Sequence, residues 1–71
     1  MKEFKLDSEY IKLGQLLKAT GEVSSGVEAK IIIQNGEVKV NGEIDERRGK
    51  KIIVGDVVEI IDGESYTIIG E

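Results

Sequence analysis

The sequence predicts an α+β fold, two short helices packed on a small, mostly antiparallel sheet. Three observations predict it. Leu13, Leu16 and Leu17 fall at i, i+3, i+4, and a second apolar run after Ser25 carries a helix start signal and a glycine stop. Short alternating segments then follow, separated by Asn41-Gly42 and Asp62-Gly63, dipeptides suited to tight hairpins. After one short strand, two helical patterns are followed by a run of strand patterns, without the regular alternation of a parallel α/β fold.

Taken in order, Glu3-Phe4-Lys5-Leu6 alternates polar and apolar, a short strand with Phe4 and Leu6 inward. Asp7, Ser8 and Glu9 turn the chain. The leucine stripe forms the first helix, which Thr20-Gly21 ends and from which Lys12 and Lys18 project. Gly14 costs this helix about 1 kcal/mol against alanine, so it must lean on tertiary packing. Ser25 and Glu28 read as a capping box, in which the hydroxyl takes a first-turn N–H and the carboxylate reaches back. Val27, Ala29, Ile32 and Ile33, extended by Ile31, predict a broad apolar face, with Lys30 opposite part of it. Asn35-Gly36 stops the helix, because glycine accepts the left-handed conformation without steric cost.

Val38 and Val40 then define a strand, Asn41-Gly42 a type I′ hairpin turn, and Ile44 its return strand. Asp45 to Lys51 is a charged loop. Ile52-Ile53-Val54 reads as an apolar strand ending at Gly55-Asp56, Val57 to Ile61 as another, and Tyr66 to Ile69 as the last.

With 71 residues and no cysteine, the chain is expected to form one domain, residues 1–71, without disulfides or thiolate metal sites. A small domain without disulfides suits a reducing cytosol. The opening MKEFKLDSEY lacks an apolar run, so neither a signal peptide nor a membrane span is expected. Net charge is −4, but unevenly distributed. Lys12 to Lys51 holds eight basic residues against six acids, whereas Ile52 to Glu71 holds five acids and no base. Such asymmetry points to a partner surface.

Histidine is absent, and no serine has a plausible base at a motif spacing, so an enzyme is not expected. Gly42 and Gly49-Lys50-Lys51 do not make a phosphate loop, and the acidic residues after Gly55 lack calcium-loop spacing. No cofactor, metal or small-molecule substrate is implied.

Lys12-Leu13-Gly14-Gln15-Leu16-Leu17, Ser25-x-x-x-Ala29-Lys30-x-Ile32-Ile33, Gly36-x-Val38-x-Val40-Asn41-Gly42 and Val54-Gly55-Asp56-x-Val58 occur in that order. Together they resemble the RNA-binding domain named after ribosomal small-subunit protein S-four, with its αL motif, and in particular its small stand-alone bacterial members of the YaaA/YbcJ type. The core motif spans residues 11–61. The resemblance implies a non-catalytic partner for structured RNA, ribosomal RNA or the ribosome among the candidates. It implies contacts from Lys12, Ser25, Lys30, Lys39, Arg47, Arg48, Lys50 and Lys51. Where the family usually carries Arg-Leu-Asp, this chain has Lys12-Leu13-Gly14, and where it usually carries Ser-Arg, this chain has Ser25-Gly26.

The residues themselves are compatible with that reading. A helix N-terminus at Ser25-Gly26 offers N–H groups and partial positive charge to a phosphate. Taken singly, each lysine or arginine is ordinary solvated surface, and only their joint placement favours RNA. The basic residues are expected to share one face, with Asp56 to Glu71 on another. Phe4, Tyr10 and Tyr66 are the only aromatics and none is interleaved with basic residues, which favours recognition of backbone shape over stacking. Two other readings use the same residues. Val40-Asn41-Gly42-Glu43 and Gly55 to Ile60 also resemble pieces of ubiquitin-like sulfur carriers, but those end in Gly-Gly and this chain ends Gly70-Glu71. A protein-interaction module would instead use the acidic terminal sheet.

Overall fold

A computed structural model describes residues 1–71. The order is β1 (Lys2–Leu6), β2 (Ile11–Lys12), α1 (Leu13–Thr20), α2 (Gly26–Gln34), β3 (Val38–Val40), β4 (Glu43–Ile44), β5 (Lys51–Ile52), β6 (Val57–Ile60) and β7 (Ser65–Gly70). Five strands form one sheet in the order β1-β7-β6-β3-β4, and β2 and β5 form a separate antiparallel pair. All pairings are antiparallel except β1 with β7. No helix is long and apolar enough to cross a membrane.

Alternation along the strands decides which sheet face is covered. Val38 lies opposite Ile60, and Val40, Val58 and Tyr66 lie in register across three strands. These residues join Ile68, Leu16 and Leu17 of α1 and Ala29 and Ile33 of α2 in one core. The intervening residues Lys39, Glu59 and Thr67 therefore occupy the other face.

Both predicted signals around α2 operate. Ser25 Oγ accepts the Glu28 N–H at 3.2 Å, and Glu28 Oε1 accepts the Ser24 N–H at 3.0 Å, one residue further back than the usual box. Gly36 follows the helix at φ +76°. The apolar face is narrower than expected. Ala29 and Ile33 are buried, but Val27 and Ile31 are 69% and 52% exposed. At about 100° per residue, positions 27 and 31 lie roughly half a turn around the helix from Ala29, so one helix face cannot hold all five side chains.

The Asn41-Gly42 turn forms as expected, both residues having positive φ (53° and 87°). Asn41 does more than turn the chain. Its Nδ2 donates to Asp56 Oδ1 at 3.0 Å, and its Oδ1 accepts the Val57 N–H at 2.8 Å. Asp56 Oδ2 in turn accepts the Ile53 N–H at 2.9 Å. The Val-Asn-Gly and Gly-Asp-x-Val segments are thus two halves of one clasp. That clasp corrects the predicted Ile52-Ile53-Val54 strand: only Ile52 is buried, while Ile53 and Val54 turn outward into the Asp56-held bend.

Candidate nucleic-acid interface

The basic loop after β4 is held against the start of α1 by that helix's own unpaired donors. Leu13 N–H donates to Lys50 O at 2.8 Å and Gly14 N–H to Arg48 O at 3.0 Å. These are among the first-turn N–H groups that no helical carbonyl can satisfy. The approach requires a glycine, since a Cβ on Gly14 would lie 2.7 Å from Arg48 Cγ. Upstream, buried Asp45 fixes the loop's entry. Its Oδ1 accepts both the Arg47 N–H (2.9 Å) and Nε (3.0 Å), and its Oδ2 accepts Nη2 (2.8 Å).

Docking the loop creates a cleft of about 240 Å³ lined by Lys12, Gly14, Gln15, Lys18, Gly26 and Arg48. Three side chains in that lining are cationic and none is a carboxylate. The first residue of α2, Gly26, closes the far wall, so the positive end of that helix dipole faces the same space. The only ion pairs in the fold are Lys2–Glu64 and Arg47–Asp45, which leaves Lys12, Lys18 and Arg48 without an acidic partner. At the rim, the β2–β5 register sets Lys12 directly opposite Lys51. Like charges so placed disfavour the free protein, and an anion between them would relieve the repulsion.

The predicted site residues divide accordingly. Lys12, Arg48 and Lys51 come together. Lys30 lies one turn beyond Gly26 on the same side of α2 and extends the basic strip. Ser25 caps α2 with its hydroxyl oxygen. Lys39 lies on the opposite face of the sheet, between Ile44 and Glu59, so the basic residues do not all share one face. Arg47 is engaged by Asp45, and both it and Lys50 line a different, open trough of about 620 Å³ with Glu43, Asp45 and Glu46. That trough's mixed charge gives an anion no net attraction.

Hydrogen bonding from Arg47 holds the Asp45 carboxyl below its ordinary value of 3.8, burial opposing the shift. A depressed folded-state value adds stability that is present above the unfolded value, about 3.9, and is lost as pH falls through the folded one. Asp45→Asn should therefore be less stable than the wild type at neutral pH, with the gap closing on acidification below about pH 4. Urea midpoints across that range measure it, and parallel pH profiles would exclude a loop role for Asp45.

Lys18, Gln15 and Tyr10 were not among the predicted contacts. Lys18 was within reach of sequence reasoning, since it lies four residues after Gly14 on the same helical face. Tyr10 was not. Lys51, remote in sequence, places its Nζ 4.8 Å from the Tyr10 ring centroid, so folding builds the aromatic–basic pairing that the sequence order conceals.

Comparison with known proteins agrees with this architecture. The S4 domain family model matches residues 4–69. The chain is 47% identical over 64 residues to RlbA of Bacillus subtilis (strain 168), a protein named for ribosome maturation, with 90% of each chain covered. It is 38% identical over 60 residues to YbcJ of Escherichia coli (strain K12), a protein named for RNA binding, with 84% of each covered. The solution structure of YbcJ from E. coli, described as having an αL motif involved in RNA binding, superposes with a TM-score of 0.73 at 37% identity. That match covers 97% of this chain and 87% of the other. The match to the family model over residues 4–69, with identities of 47% and 38% to relatives covered along most of their length, places the chain in the S4 domain family.

Proposed function

We propose that this protein binds structured RNA, with ribosomal RNA among the candidate targets, and that the cleft between α1, α2 and the docked loop holds the phosphate backbone. One observation carries the proposal. In a chain of net charge −4, Lys12, Lys18 and Arg48 line one cleft with Gly26, the first residue of α2, and no carboxylate is among its lining residues. Lys30 and Lys51 extend the strip on either side. The names of the relatives, one for ribosome maturation and one for RNA binding, support the same reading.

Arg48 also answers the departure from the family pattern at position 26. The arginine expected there is replaced by Gly26, and Arg48 lines the same cleft from the loop. Its stem lies over Gly14, where the family usually carries aspartate. Gly14 thus makes room for the loop arginine, whereas a Cβ on Gly26 would meet no atom within 4 Å. Backbone contacts of this kind suit the shape of an A-form helix and its flanking loops.

Five phosphate contacts, from Lys12, Lys18, Lys30, Arg48 and Lys51, predict a slope of log affinity against log salt of roughly −3.5 to −4.5. Fluorescence anisotropy with a labelled RNA hairpin across a salt series measures it. An affinity independent of salt would overturn the proposal.

A further inference from the structure

We propose that Tyr10 stacks on a single unpaired base beside the cleft, so that the preferred RNA is a helix interrupted by an unpaired nucleotide. This rests on the RNA-binding reading above and adds a specificity element to it.

The geometry begins with β2. Within the strand Ile11 turns inward to pack against the core and Lys12 outward, while Tyr10, the residue just before it, has its ring 4.8 Å from the Lys51 ammonium. Across the pair, Lys51 faces Lys12 and Ile52 faces Ile11. Tyr10, Lys12 and Lys51 therefore form one outward group, and Lys12 continues it into the cleft.

Tyr10 is 40% exposed, although nothing in its local sequence requires an aromatic at the surface. Its backbone is held where β2 begins, because Ser8 Oγ donates to the Tyr10 carbonyl at 3.0 Å. Its ring is held by the Lys51 ammonium on one face. An aromatic fixed in this way loses little freedom when a base stacks on its open side, and the adjacent lysines meet the phosphates flanking that base. A continuous duplex offers no free base face. One exposed aromatic accommodates one base, which distinguishes this site from an extended single-strand platform.

The test uses two RNA hairpins with the same stem, one carrying an unpaired adenosine, measured against the full chain. The wild type and Tyr10→Phe should both prefer the interrupted stem. Tyr10→Ala should lose that preference, binding the interrupted stem between about fivefold and 150-fold more weakly, so that the two stems bind it alike. A spectroscopic readout separates stacking from a structural role. The chain lacks tryptophan and has two tyrosines, so Tyr66→Phe leaves Tyr10 as the sole tyrosine emitter. Its fluorescence should be quenched by the interrupted stem and not by the regular one. Salt-sensitive binding of both hairpins with equal affinity, or an unquenched Tyr10, would overturn the stacking site alone. Failure of the wild type to bind either hairpin would remove the RNA-binding reading with it.

Discussion

Reversing two cleft charges, Lys12→Glu together with Arg48→Glu, is expected to lower RNA affinity roughly a thousandfold. A unit charge about 4 Å from another is worth about 1 kcal/mol in water, and two reversals change four units, giving about 4 kcal/mol. Loss of affinity on charge reversal would by itself show only that RNA is repelled by an acidic protein. The discriminating comparison is Lys39→Glu with Lys50→Glu, which changes the net charge by the same amount. Lys39 is on the far side of the sheet and Lys50 lines the mixed-charge trough. That pair should lose about tenfold or less, since neither residue lines the cleft and their charges reach bound RNA only through screening solvent. Anisotropy measurements on both variants, with circular dichroism confirming the fold, decide the matter. Equal losses would mean that the cleft has no special role.

How far the sequence discloses this arrangement depends on the range of the interactions involved. Asn41-Gly42 and the Ser25 cap are legible because each acts within a few residues, and both form as expected. The burial of Val38, Val40, Val58 and Ile60 is legible because the strand period leaves no other core face. Val27 and Ile31 mislead for the complementary reason. Their apolarity suggests burial, but the helical period sends them away from the side defined by Ala29 and Ile33. Ile53 and Val54 mislead because their β-propensity is overridden by Asp56, whose carboxylate holds the Ile53 N–H and bends the chain. The site itself was only half visible. Charge counting identifies the basic middle of the chain, but it cannot show that Asp45 engages Arg47 while Arg48 remains free. Nor can it show that Lys51 reaches Tyr10. Those distinctions arise from where the loop docks, and the docking depends on a glycine that appears in the sequence only as a weak point in a helix.

That glycine yields the second large effect. Gly14→Val is expected to destabilise the protein by about 3 kcal/mol, at the upper end for an overpacked site. This is a substantial fraction of the stability of a domain this small. The new Cβ would lie 2.7 Å from Arg48 Cγ, too close to Arg48's stem for the loop to remain in place. Displacing the stem also strains the hydrogen bonds from Gly14 N–H to Arg48 O and from Leu13 N–H to Lys50 O. If helix propensity were the controlling factor, replacing glycine would instead help or be neutral. The sign of the change therefore separates the two causes. Arg48→Ala removes the obstructing Cγ, so adding it to Gly14→Val should recover most of the lost stability, a coupling readable from urea midpoints in a double-mutant cycle. RNA affinity should not recover in the double variant, because the cleft would have regained its packing without its arginine. Additive losses in stability would show that the Gly14–Arg48 contact does not hold the loop, and would detach the proposed binding cleft from the helix on which it is built.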